Sequence, residues 1–485
     1  VQMKIAISYK SVFRILGWLL MIEALLMVIP FIVNIVERQP STGFILGIGG
    51  ASVAGAILSW TCRFHRITIR RRESYLLVSI SWIVFSIFGM LPFIFCRTPL
   101  GITDAFFETM SGFTTTGATT LPDVESLSKG ILLWRAMTQW VGGLGIILFI
   151  LALLPTLNEK GGIPMYNAET SGITHEKLHP RIRHTALSLW TVYLALTLAM
   201  TLLLWIGPMN FFDAICQSMA CISTGGFSTR NNSIAWWNSD YISSIVTIFM
   251  LIGGVNFSLL YTACRGNARA LWRNDVFRAY LAIIFVAYLA ILASLLIQGR
   301  VHSFHDILVA PLFHAISAIT STGFTLDNFT LWGPFVILVT MLLMLSGACA
   351  GSTTGAIKVD RLCALRSILS NEIRHTVNPR HIYVVRVNGN ILPSAEITRI
   401  TAFVAIYIAV ATIGALTISA FGYPITDSFF ATLSCLGTNG LGYGDTAGYH
   451  LLPCAAKWVL SFCMLIGRLE LFTFLVLLSP WFWKK

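Results

Sequence analysis

Four short clusters of threonine, serine and glycine are the residues of this 485-residue chain best suited to chemistry. They read TTTGAT at 114–119, STGGFS at 223–228, TSTGFT at 320–325 and GTNGLG at 437–442. The chemistry they suit is coordination of a dehydrated monovalent cation, which needs several oxygen ligands. Backbone carbonyls supply these without a net charge that would trap the ion. Glycine permits the backbone angles that turn successive carbonyls to one side. One such turn cannot surround an ion, whereas four around an axis can. The expected ligands are Thr115, Thr116 and Gly117; Thr224, Gly225 and Gly226; Ser321, Thr322 and Gly323; and Thr438, Asn439 and Gly440.

Each cluster closes a longer repeat that aligns without a gap: DAFFETMSGFTTTGATT from Asp104, DAICQSMACISTGGFST from Asp213, APLFHAISAITSTGFTL from Ala310 and DSFFATLSCLGTNGLGYG from Asp427. The apolar part is too short to span a bilayer, and an opening Asp is a good N-cap, so it reads as a half-crossing helix. Non-helical backbone at membrane depth is tolerated only where protein buries it or it lines a water-filled cavity. Four such segments imply one shared aqueous path.

The elements around them are membrane spans. Hydrophobic residues make up 56% of the chain and charged ones only 11%, against about 25% charged in a soluble domain. Apolar runs near the 20 residues needed to cross are expected at 11–36, 42–62, 74–95, 131–154, 184–206, 241–263, 277–298, 333–347, 399–421 and 452–479. The first follows Lys4 and Lys10 as a signal peptide would, but it is long and lacks a small-residue cleavage site, so it reads as a retained helix. The net charge of +12 sits in alternate loops, which is a topology signal rather than a nucleic-acid surface and puts both termini in the cytoplasm. Ten scattered cysteines show no CxxC spacing and read as small buried hydrophobes.

Two features interrupt the apolar spans. From 347 to 355 runs GACAGSTTG, a stretch of poor helix formers that reads as a non-helical loop, or alternatively as small residues for close helix packing. Arg468 lies in the last span, where a charge costs a few kcal/mol and faces a cavity or a partner. Glu470, two residues on, falls on another face of a continuous helix, which leaves a salt bridge to a different helix as the alternative.

MSGFTTTGATTL, STGGFSTR, SGACAGSTTGAIKVDR and IGRLELFT, with most of the remaining chain, resemble the superfamily of potassium transporters that contains the TrkH, KtrB, HKT and fungal Trk proteins. The resemblance implies an all-α polytopic fold of four pseudo-symmetric span, half-helix, filter-loop and span units around a pore, plus two N-terminal helices. Its expected divisions are 1–72 for the N-terminal pair, 73–158, 159–270, 271–360 and 398–485 for the pore units, and 361–397 for a cytoplasmic linker. It implies a homodimer in a bacterial inner membrane, with potassium as the transported ion and no organic cofactor. Glycine in all four filter columns goes with potassium in that superfamily. The resemblance also implies a gate made by Arg468 and the loop bearing Gly347, Gly351, Ser352, Thr353, Thr354 and Gly355. Control would come from a cytoplasmic nucleotide-binding ring of the TrkA type, since the chain has no nucleotide fingerprint of its own. A sodium-conducting or cation-coupled symporter is the nearest alternative. A lipid-modifying membrane enzyme would need clustered acid, base or metal-binding groups, and the sequence shows only isolated ones.

Overall fold

The computed structural model describes residues 7–64, 69–96, 100–145, 182–300, 305–380 and 384–483. Its regular structure is helical apart from a small ribbon pairing Arg386–Val387 with Asn390–Ile391. Six described helices are long and apolar enough to cross a bilayer: Tyr9–Val36, Thr42–Thr61, Arg71–Ile94, Thr185–Ile206, Asp275–Ile297 and Ser394–Ser419. Between 28% and 56% of each apolar window is buried in protein. The rest presents side chains such as Leu25, Ile57, Val286 and Ile413 outward, an apolar surface that only lipid can cover without cost. The chain is a multi-pass membrane protein.

Two spans expected to be continuous are broken. Asp240–Gly253 and Phe257–Cys264 meet at 105°, and Cys454–Arg468 and Leu471–Leu478 meet at 114°. At the first break Asn256 caps the new helix, its Oδ1 accepting the N–H of Ser258 at 2.8 Å and of Leu259 at 3.2 Å. At the second, Glu470 takes φ 53° and pairs with Arg361 at 2.8 Å. Glu470 has thus left the helix altogether, so the same-helix geometry expected of it does not apply. The span expected at 131–154 is described as Lys129–Leu144, turned aside by Gly145 at φ 91°; its continuation and the basic stretch 155–181 lie outside the described residues. The span at 333–347 is the 13-residue helix Pro334–Ser346.

Four half-helices stand between these spans: Ile102–Phe113, Phe211–Ile222, Ala310–Ile319 and Ile425–Leu436. The expectation that an Asp caps them is incorrect. Their N-caps are Gly101, Asn210, Val309 and Pro424, and Asp104, Asp213 and Asp427 occupy the third helical position. The preceding apolar residues join the helix, and the carboxylate is used further in. There it offsets the positive end of the helix dipole and makes tertiary contacts. Asp104 holds Lys457 at 2.5 Å, Asp427 accepts the N–H of Asp445 at 2.8 Å, and Asp213 takes Arg230 at 3.1 Å.

The first two helices form a hairpin whose backbones touch. A Cβ on Gly17 would lie 2.7 Å from the Gly55 carbonyl oxygen, and one on Gly55 2.8 Å from that of Gly17. Small residues allow this approach between membrane helices. Gly17→Val is therefore expected to destabilise the protein by about 1–3 kcal/mol through overpacking, read as a lower thermal unfolding midpoint in detergent, whereas Gly49→Val, where a side chain meets nothing within 4 Å, leaves the midpoint unchanged.

Candidate functional site

All four half-helices end in the same turn. The residue two past the last helical one, Thr115, Thr224, Ser321 or Thr438, lies in the left-handed region at φ 53–56°. Its N–H returns to the carbonyl of Gly112, Cys221, Ala318 or Cys435. The next N–H, of Thr116, Gly225, Thr322 or Asn439, reaches back to Ser111, Ala220, Ser317 or Ser434 at 2.7–3.1 Å. This is the two-bond closure that ends many helices, normally with glycine in the left-handed position. Here a hydroxyl residue sits there four times, three of them β-branched, at about 1–2 kcal/mol each. A glycine at φ 74–82° follows two residues later in every loop.

The loops close on one another. A Cβ on Gly117 would run into the carbonyl oxygen of Gly225, on Gly226 into that of Thr322, on Gly323 into that of Asn439, and on Gly440 into that of Thr116. The contact passes from the first loop to the second, third and fourth and then back to the first, so eight of the twelve expected residues meet in one ring and the other four, the left-handed residues, lead into it. The residues flanking the glycines on the half-helix side are fully buried, while all four glycines are partly exposed. The opening of the ring is thus lined by glycine and carbonyl. The C-terminal ends of four helices, each carrying partial negative charge, surround it.

On that same side lies the segment 347–358. It is not helical: Gly347, Gly351, Ala356 and Lys358 all have positive φ, and helix resumes only at Val359. The packing alternative for its small residues is thereby set aside. Thr353 Oγ1 bonds Thr224 Oγ1 at 2.9 Å, and a Cβ on Gly355 would strike Thr438 Oγ1. Asn256, at the break of the second unit, donates to the Ala350 carbonyl at 2.8 Å. Arg468 joins this assembly, donating to the Thr353 carbonyl, to those of Gly142 and Gly143, and to Thr115 Oγ1 at 3.2 Å. Segment 347–358 and Arg468 together therefore touch the left-handed hydroxyl residues of three of the four loops.

A polar network behind the first two loops was not anticipated from sequence. Glu108, in the middle of the first half-helix, accepts from Arg135 Nε at 2.8 Å, Thr119 Oγ1 at 3.0 Å and the Thr120 N–H at 2.9 Å. Arg135 also donates to the Ser228 carbonyl at 3.0 Å, which ties the first loop to the second. Both side chains are at most 2% exposed. An ionisable residue inside an apolar span is itself a signal, and Arg135 could have been found by that rule. The third and fourth loops use hydroxyls instead: Ser317 donates to the Phe324 carbonyl and Ser434 to that of Leu441, both at 2.7 Å. Among the described residues no three His, Cys, Asp or Glu side chains converge as a metal centre.

Residues 41–485 match the family model TrkH, described as a cation transport protein. The Trk system potassium uptake protein TrkH of Escherichia coli K12 is 36% identical over 489 residues, covering 98% of this chain and all of that one. TrkH of Vibrio parahaemolyticus is 35% identical across 99% of this chain, and TrkG of E. coli K12 is 30% identical across 98%. The crystal structure of the potassium transporter TrkH from V. parahaemolyticus superposes with a TM-score of 0.89 at 33% identity, covering 99% of this chain and all of that one. A full-length match in sequence, joined to a shared fold, places this chain in the TrkH family of cation transport proteins.

Proposed function

We propose that the chain is a potassium-selective, channel-like uptake protein in a bacterial inner membrane, with the four-loop ring as its selectivity filter. The observation that carries this reading is the closed cycle of glycine against carbonyl: four loops present backbone oxygens to one opening and leave no room there for a side chain. A cation stripped of water is the ligand such an opening suits. Potassium is favoured by glycine at 117, 226, 323 and 440 and by the naming of the relatives as potassium uptake proteins. Conduction is passive, driven by about 2.3 kcal/mol per charge per 100 mV of membrane potential. A coupled symporter would place an acid in the path, but Glu108, on the first half-helix, is engaged by Arg135 behind the loop. The functional parts are the hairpin 1–72, pore units 73–158, 159–270, 271–360 and 398–485, and the linker 361–397. Two such chains associate as a homodimer with their termini in the cytoplasm.

A side chain at the filter glycine both restricts the backbone and meets the neighbouring carbonyl. Gly117→Ser is expected to lower the potassium-to-sodium flux ratio in liposomes by about tenfold, or ~1.4 kcal/mol. Gly49→Ser serves as the control. An unchanged ratio in well-folded Gly117→Ser protein rules out the filter.

Arg468 and segment 347–355 form the gate in this reading, the guanidinium repelling cations while it holds the loop carbonyls. Arg468→Ala, and separately deletion of 351–354, are expected to raise basal potassium flux several-fold with the ion ratio unchanged. Parent-level flux in folded protein removes the altered element from the gate.

The gate answers to a TrkA-type nucleotide-binding ring on the cytoplasmic side. Arg374, Arg380 and Arg386 are exposed around the end of helix Val359–Val377, which leads directly out of the gate loop. Replacing all three with Gln is expected to weaken ring binding at low salt and to flatten its salt dependence, because exposed charge pairs are screened. Equal affinity at all salt concentrations moves the docking surface elsewhere.

A further inference from the structure

We infer that Gln139 is a positioning residue of the filter, holding one ring carbonyl and filling the space that a loop side chain fills in the other three units. The inference rests on the filter reading above. Gln139 projects from helix Lys129–Leu144 and is fully buried. Its Nε2 donates to the Gly225 carbonyl at 2.6 Å, and its Oε1 accepts the N–H of Phe227 at 3.0 Å. A carbonyl only accepts and a peptide N–H only donates, so the two partners fix which way the amide points. One side chain therefore brackets Gly226 from both sides.

The other loops carry a side chain of their own at this position. Thr116 bonds Thr114 and Thr322 bonds Thr320, hydroxyl to hydroxyl at 2.8 Å, while Asn439 donates to the Ala318 carbonyl at 2.7 Å. The second loop has Gly225 at this position. Gly225 is not among the positive-φ residues, so its backbone would accept a side chain. What forbids one is Gln139, whose Cδ would lie too close to a Cβ there. Gly225 is glycine for space, not for angle. The carbonyl that Gln139 holds is also the one against Gly117, so its position affects two loops. With an amide donor already on it, this oxygen has less freedom to follow an ion of the wrong size.

The test compares potassium, rubidium and sodium flux into liposomes for the purified full-length parent, Gln139→Ala, Gly225→Thr, the double variant and Gly117→Ser. Gln139→Ala is expected to lower the potassium-to-sodium ratio by about tenfold. Gly225→Thr alone is expected to lose most flux, because the new side chain and Gln139 compete for one space. The double variant is expected to recover toward the parent ratio, since the introduced threonine can bond Ser223 as Thr116 bonds Thr114. A parent ratio in Gln139→Ala overturns the inference, as does a double variant no more selective than Gln139→Ala. If Gln139→Ala does not fold, Gln139→Glu, which keeps the shape and loses the donor to Gly225, is read by the same criterion. A Gly117→Ser protein with altered selectivity beside an unaltered Gln139 variant counts against Gln139 alone. If neither alters it, the filter reading itself fails.

Discussion

A peptide group that leaves a helix at membrane depth must find a hydrogen-bond partner, water or an ion, because lipid offers none. This chain leaves helix at depth in all four half-helix loops, and the arrangement of the pore region answers that requirement. The N–H groups of each turn fold back onto the half-helix just ended. Some carbonyls past the glycines are taken by hydroxyls: Phe324 by Ser317, and Leu441 by both Ser434 and Tyr449, the latter at 2.9 Å. The carbonyls of the ring itself meet the neighbouring glycine. In the proposed reading, cation affinity and structural closure are therefore two uses of the same oxygens.

The left-handed hydroxyl residues extend this logic toward segment 347–358 and Arg468. Glycine would relieve the strain at 115 and 224, but it would remove the hydroxyls that Arg468 and Thr353 bond. At these two positions the strained residue joins the ring to segment 347–358. That segment is held from three further directions: by Asn256 at the broken second unit, by helix Val359–Val377, and by the break after Arg468. Arg361, in the first turn of that helix, pairs with Glu470 at that break, so movement of the helix bears on the position of Arg468. In the proposed reading this is a mechanical route from the docking surface to the gate, built from one ion pair and one change of helix direction.

Much of this was legible in sequence, for physical reasons that differ from element to element. The four clusters could be found because the ring imposes the same backbone angles on each unit and therefore the same residue types. The break at 347–355 was legible because small residues ran together without helical spacing. The broken spans at 254–256 and 469–470 were not, since hydropathy averages over a bend and Asn256 or Glu470 looks like an ordinary polar residue at the end of an apolar run. The Asp that opens three of the four repeats was assigned to the wrong helical position because residue type favours it as a cap, whereas a tertiary partner such as Lys457 decides its place. Glu108 and Arg135 were each an isolated charge among apolar residues with no partner visible in the sequence, and Gln139 gave no local signal at all. Their meaning depends on a second unit whose proximity only the fold reveals.

The ring contact that closes the cycle joins the last loop to the first, Gly440 against the Thr116 carbonyl. During synthesis the first three loops enter the membrane while the fourth is still unmade. A partial chain has carbonyls without their glycine neighbours and no complete ring. It also lacks Arg468, which is made later still. The ring is thus completed by the fourth loop, and the helix that follows this loop carries Arg468, which donates to the Thr353 carbonyl beside the ring. In the proposed reading, the loop that completes the ion path and the charge that restrains it are therefore made close together, after the other three loops.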